Sequence, residues 1–140
     1  MSDSQTDILV VDDSRANLRI LARILTKEGY LVRPVPSGSL ALAAIRSKLP
    51  DLVLLDIKMP EMSGYEVCEY LKADEQTCDI PIIFISALTD LGDKLKGFSL
   101  GIVDYITKPF QPDEVLVRVK THLSLRNLQR DLEAKNARLE

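Results

Sequence analysis

The chain has 140 residues, of which 46% are hydrophobic, and a formal net charge of −3. That length suits one domain with a full core, and the mild acidity leaves no whole-chain electrostatic footprint for nucleic acid. No membrane span and no signal peptide are expected, and Cys68 and Cys78, which lack metal-ligand spacing, read as free thiols of a cytoplasmic protein.

Residues 1–6 read as a polar lead-in to the apolar run Ile8-Leu9-Val10-Val11, which ends in Asp12-Asp13. Ser14 can cap a helix whose stripe is Leu18, Leu21, Ala22 and Leu25, closing near Gly29. Leu31 to Val35 reads as a strand, and Pro34 confines it to an edge because proline cannot donate to a ladder. Residues 39–48 predict a helix around Leu40, Ala44 and Ile45, and Pro50 precedes the run Leu52-Val53-Leu54-Leu55, which ends in Asp56. Glu66 to Lys72 predicts a helix with Val67 and Leu71 inward, and Pro81 opens the run Ile82-Ile83-Phe84-Ile85, which ends in Ser86.

Between residues 89 and 100, Leu91, Leu95 and Phe98 share a helical stripe that Gly92 and Gly97 interrupt. Each interior glycine costs about 0.8–1.0 kcal/mol relative to alanine. The glycines are either merely tolerated or mark an element that shifts easily. Tyr105-Ile106-Thr107 ends in Lys108, and from Pro112 no further proline or glycine occurs up to Glu140. Val115, Leu116, Val119 and Leu123 suit packing on a sheet. Leu125, Leu128, Leu132 and Leu139 follow a 3-4-7 spacing broken by Lys135, so residues 123–140 are expected to leave the domain as a helix that pairs with its twin and leads to a missing output domain; a solvated tail is the alternative. Strands alternating with helices call for an α/β fold, a doubly wound parallel sheet with an extended last helix.

In such sheets the binding crevice lies outside the carboxyl ends of the strands. Three acids, a hydroxyl and an ammonium, each ending a separate apolar run, therefore converge. Crowded carboxylates raise one another's pKa unless a cation intervenes. Hard oxygen ligands suit Mg2+, with Mn2+ as a substitute. A metal, an ammonium and a hydroxyl around one carboxylate match the needs of a transferring phosphoryl group, and a carboxylate can itself be the nucleophile.

The ordered set Asp12-Asp13, Leu54-Leu55-Asp56-Ile57-Lys58-Met59-Pro60-Glu61-Met62-Ser63-Gly64, Ser86-Ala87 and Asp104-Tyr105-Ile106-Thr107-Lys108-Pro109-Phe110 resembles the receiver domain of two-component response regulators, over residues 6–122. The resemblance implies a five-stranded parallel sheet of flavodoxin-like order 2-1-3-4-5 and an Asp-phosphorylated, Mg2+-dependent switch. It implies Asp56 as phosphoacceptor, and Asp12, Asp13, Asp56 and the backbone carbonyl of Lys58 as metal ligands. Lys108, Ser86 and Ala87 would contact the phosphoryl group, with Ser86 and Tyr105 as switch residues, Tyr105 moving from an outward to an inward rotamer. The Lys108-Pro109 peptide would be cis. Partners would be a histidine kinase or histidine phosphotransfer protein, and a second copy when phosphorylated. Two positions depart from the pattern: Ser63 stands where the family often has Asp, and Ile102 where it usually has Ala. Lys58 and Leu88 occupy positions that flank the path of attacking water in receivers, which implies slow loss of the phosphoryl group.

Arg15 and Arg19 are candidates for docking the kinase, as the first basic residues of a stripe that continues through Arg23 and Lys27. An ordinary solvated face explains the same stripe. His122, the only histidine, falls within the packing helix and is not expected to donate phosphate. A flavin carrier of the same fold needs phosphate-cradling donors after strand 1, where Asp12-Asp13 would repel the ligand. A phosphatase of the haloacid dehalogenase type carries a second acid two residues after its nucleophile, where this chain has Lys58. The expectation is therefore a signalling switch and not a turnover enzyme; a dimerisation module of a larger hybrid kinase or cyclase is the alternative.

Overall fold

Each apolar run forms a short strand, and the polar residues that end the runs line up along one edge of the sheet. The computed structural model describes residues 5–87 and 91–139, with side chains described except for 91–95 and 137–139. The strands are β1 (Asp7–Val11), β2 (Leu31–Val35), β3 (Leu52–Asp56), β4 (Ile82–Ala87) and β5 (Asp104–Lys108). Between and after them run the helices α1 (Arg15–Lys27), α2 (Gly38–Ser47), α3 (Gly64–Ala73), α4 (Leu91–Leu100) and α5 (Pro112–Leu139). All pairings are parallel, in the order β2-β1-β3-β4-β5, so Pro34 does lie on an edge strand.

Side-chain alternation along the strands feeds two cores. Leu9, Val11, Val53, Leu55, Ile82 and Phe84 face α2 and α3. Ile8, Val10, Leu52, Leu54, Ile83, Ile85 and Ile106 face α1 and α5, where Leu18, Leu21, Leu25, Val115 and Val119 meet them. The stripes predicted for the first and last helices thus point inward as expected.

Three details differ from the sequence reading. The second helix begins at Gly38 because Ser37 caps it, its hydroxyl accepting from the Leu40 amide at 3.2 Å. Ala41, Leu42 and Ile45 face inward, and Leu40 is exposed. The third helix begins two residues early, at Gly64, on a capping box: Ser63 Oγ accepts from the Glu66 amide at 3.3 Å, and the Ser63 amide reaches the Glu66 carboxylate at 3.5 Å. Serine therefore does at position 63 what an aspartate would do. Gly97 is not merely tolerated: a Cβ there would stand 2.2 Å from the Tyr105 hydroxyl and 2.8 Å from Phe84 and Ile102. The Leu91 and Leu95 side chains, residues 1–4 and Leu88 lie outside the described parts.

The base of the sheet holds an ion pair that the sequence did not advertise. Asp7 is buried, and its Oδ1 accepts from Arg33 Nε at 2.9 Å. The same guanidinium donates to the carbonyls of Ala44 and Lys48 at 3.0 and 2.7 Å, tying the end of α2 to the edge strand. Removing one partner of a buried pair strands the other charge, and among the described residues Lys48 Nζ, 3.7 Å from Asp7, is the cation that remains to compensate. Arg33→Met is expected to lower stability by about 2–4 kcal/mol, read as an earlier midpoint in urea unfolding. A midpoint within error of the parent chain would contradict this role.

Candidate functional site

Asp12 and Asp13 follow β1, Asp56 ends β3, and these strands are neighbours with Val11 opposite Leu55. The three carboxylates therefore meet: one oxygen from each lies within 4.8 Å of the others. Asp12 and Asp56 are buried and Asp13 is exposed. Lys108, at the end of β5, places its Nζ 3.4 Å from Asp56 Oδ1 and 3.8 Å from Asp12 Oδ2. The Lys108-Pro109 peptide is cis, as the resemblance implied.

Asp12 is held from both oxygens. Its Oδ1 accepts from the Ser14 amide at 2.9 Å and its Oδ2 from Asn17 Nδ2 at 3.2 Å. Ser14 in turn caps α1 by accepting from the Asn17 amide. Asn17 is a site residue missed in the sequence; its place in the first turn after a capping serine was the available signal. Gly64 is a second. A Cβ at Gly64 would lie 2.3 Å from the Asp56 carbonyl oxygen, and the Gly64 amide donates to the Ile57 carbonyl at 2.8 Å. Only glycine lets this loop fold back onto the end of β3. The loop carries Lys58, exposed and two residues beyond Asp56.

Burial, followed by the negative charge of Asp12, pushes the Asp56 carboxyl up from 3.8 to about 7; Lys108 pulls it down and Asp13 adds to the rise. One ammonium thus leaves the three carboxylates undercompensated. A compact set of hard oxygen donors with a deficit of positive charge fits a divalent cation of the Mg2+ class.

Ser86 is buried at the end of β4, beside β5, and its hydroxyl donates to the Ala87 carbonyl at 3.0 Å. Ala87 is exposed and stands opposite Lys108 in the ladder. Tyr105 is 5% exposed, with its ring edge-on to Phe84 at 6.0 Å and to Phe98 at 5.2 Å between centroids. Its ring is inward here, and Ile102 is buried nearby in the same core. Arg15 and Arg19 lie on the exposed face of α1, joined by Ile20, itself 46% exposed. His122 is remote from the acids and bonds Asp104 Oδ2 at 2.9 Å. No described helix is long and apolar enough to cross a membrane.

The sequence profile of the response regulator receiver domain matches residues 8–120. Response regulator PleD of Caulobacter vibrioides is 44% identical over 114 residues, covering 81% of this chain and 25% of that protein. DNA-binding response regulator MtrA of Mycobacterium tuberculosis is 41% identical over 123 residues, covering 88% of this chain and 53% of that protein. The chain therefore spans about a quarter to a half of the length of these relatives. Among solved structures, a putative response regulator from Chloroflexus aurantiacus superposes with a TM-score of 0.84 at 36% identity, covering 86% of this chain and 99% of that one. NtrX from Brucella abortus gives 0.88 at 30% identity, covering 94% and 29%.

The raised Asp56 pKa fixes a pH dependence. Between about pH 4 and 7 the folded chain holds a proton that the unfolded chain has lost, so stability falls as pH rises through that window. In chelator-treated protein, Asp56→Asn is expected to be stabilising, with little gain near pH 4 and a gain above pH 7 of at most about 4 kcal/mol. Thermal unfolding across that range checks it; a gain independent of pH would contradict the assignment.

Proposed function

This chain belongs to the response regulator receiver domain family, and on that premise we propose that it is a phosphoacceptor switch in which Asp56 takes a phosphoryl group from a phosphohistidine. The observation that carries this reading is the buried Asp56 carboxylate, with Lys108 at 3.4 Å and two further acids within 4.8 Å. An Asp56 oxygen attacks phosphorus as the phosphorus–nitrogen bond breaks, and the electron pair leaves with the imidazole of the donor. Lys108 would neutralise phosphoryl charge from the end of β5, where the ladder to β4 holds its backbone. Asp12, locked by Ser14 and Asn17, and Asp13, open to solvent, would hold Mg2+ with Asp56 and the Lys58 carbonyl. When bound, that ion supplies the positive charge the carboxylates lack and spreads the charge of the transferring group. The exposed Asp13 side marks where donor and ion would enter.

After transfer, the Ser86 hydroxyl gains a competing acceptor and would leave the Ala87 carbonyl for the phosphoryl oxygen, alongside the Ala87 backbone. The inward Tyr105 ring would be favoured by that move, and because it abuts Gly97 it couples the site to α4. A changed α4–β5 face and strengthened self-association would carry the output. The chain acts as substrate and switch rather than as a turnover enzyme on an external substrate. Arg15 and Arg19, exposed on α1 with the exposed Ile20 close by, are proposed to dock a kinase or phosphotransfer helix; charges at such a rim act mainly on association rate.

Incubation with a small acyl phosphate and Mg2+, followed by mass measurement, is expected to label the parent chain and to leave Asp56→Asn unlabelled; chelation should abolish labelling. Asp13→Ala is expected to weaken binding of the metal alone, read by titration. Arg19→Glu should slow labelling from a phosphorylated kinase several-fold while leaving the small donor unaffected. Full labelling of Asp56→Asn would overturn the acceptor assignment.

A further inference from the structure

Three consecutive residues of α4 each rest on aromatic rings of other elements. Lys96 Nζ stands over the Tyr65 ring, 4.3 Å from its centroid. Gly97 is buried, and a side chain there would collide with the Tyr105 hydroxyl and with Phe84. Phe98 meets Tyr105 edge-on at 5.2 Å between centroids. The rings are themselves joined, Tyr65 to Phe84 at 5.7 Å and Phe84 to Tyr105 at 6.0 Å. These contacts run from α3 through β4 and β5 to α4, and Lys96 closes the circuit back onto α3.

The two ends of the α3–α4 contact differ. Away from the acids, Cys68 Sγ donates a weak bond to the Leu100 carbonyl at 3.9 Å, and the chain turns at Gly101 with φ +96°. Lys96, one turn before Leu100, holds α4 again nearer the site. Its partner Tyr65 lies in the first turn of α3, is half-buried, and borders an open notch of about 480 Å³ lined also by Lys58, Met59 and Pro60. The ring therefore has room to swing on that side. A cation over its electron-rich face opposes the swing and holds ring and helix together. Gly97 lowers the intrinsic stability of α4, so the place of this helix depends on such outside contacts.

We propose that Lys96 and Tyr65 form a latch that sets the position of α4 and, through Gly97, the balance between the inward and outward rings of Tyr105. Gly97 and the Tyr105 ring share one space, and the ring fits inward beside α4 because position 97 has no side chain. A shift of α4 about its Cys68–Leu100 end changes that space directly. Latch and inward ring are made together in this structure, so each favours the other. The route runs through α3 and needs no contact with Ser86. Tyr65 and Lys96 are positioning residues, and neither belongs to the acid cluster. The inference rests on the reading of Tyr105 as a switch residue, while the latch itself needs neither a phosphoryl group nor a metal.

NMR of ring-labelled tyrosine in the full chain, in chelator and without a phosphodonor, reads the Tyr105 ring, and amide exchange reads residues 96–100. Lys96→Met keeps the stem and removes the charge. It is expected to lower the inward-to-outward ratio of Tyr105 about two- to fivefold, the weight of one exposed cation–π contact, and to speed exchange at 96–100 to match. Lys96 is exposed, so thermal unfolding of the body should be unchanged. Lys96→Arg, which keeps a cation, should behave as the parent chain. Adding Lys96→Met to Tyr65→Leu should do no more than Tyr65→Leu alone. A Lys96→Met chain with both readouts unchanged, or a double variant whose effects add, would overturn the latch. Faster exchange with an unmoved Tyr105 ring would overturn its coupling to the ring. With no phosphodonor present, such failures leave the phosphoacceptor reading standing.

Discussion

One buried carboxylate among like charges governs this molecule. Asp56 has lost most of its water, lies beside Asp12 at the ends of neighbouring parallel strands and has, among the described residues, a single ammonium within 4 Å. Loss of hydration and repulsion both disfavour its anion, and Lys108 offsets only part of that cost. As the proposed nucleophile, Asp56 is therefore weakest when the site holds no further cation. Adding positive charge does two things at once: it frees the anion to attack and it provides for the charge of the incoming group. The proposed metal requirement rests on this electrostatic deficit.

The frame around that carboxylate keeps the geometry from relaxing away. If the loops could move, the acids would separate and the strain would vanish. Instead, strand register sets Leu55 opposite Val11 and Asp56 opposite Ile85, Asn17 and the Ser14 amide pin both oxygens of Asp12, and Gly64 allows the following loop to lie directly on β3. On the far side, Tyr105 fills the space that the missing Gly97 side chain leaves, between Phe84 and Phe98. A change at the end of β4 or β5 thus meets α4 through one aromatic contact, while α5 is tied to the base by separate ion pairs. The molecule has a stiff chemical end and a second, independently anchored helical end.

Much of this was legible in the sequence because strand runs that end in polar residues are a local signal. The sheet type, the edge position forced by Pro34, and the convergence of Asp12, Asp13, Asp56, Ser86 and Lys108 all follow from where four apolar runs stop. The strand order and residue roles came with the family resemblance. What escaped were features that depend on contacts between distant segments. Arg33 looks like an ordinary edge-strand cation until Asp7 and the end of α2 come together around it. Gly64 and Gly97 look like helix-weakening residues, yet each is demanded by a backbone or ring from another element. Leu40 seemed to anchor α2, but the face that meets the core carries Ala41, Leu42 and Ile45, and Leu40 is exposed. The leucines beyond Leu123 were visible as a spacing; that Arg126 reaches the Asp79 carbonyl and Arg130 lies near Asp51 was not, because both partners are far away in the chain.

The most direct test of the central claim is the titration of the Asp56 carboxyl itself, followed by carbon NMR on carboxyl-labelled protein with and without Mg2+. In chelated protein this carboxyl is expected to titrate near 7, and Mg2+ is expected to move the titration well toward, or below, the ordinary 3.8. An Asp56 carboxyl that titrates near 3.8 without metal, or whose titration is indifferent to Mg2+, would contradict it.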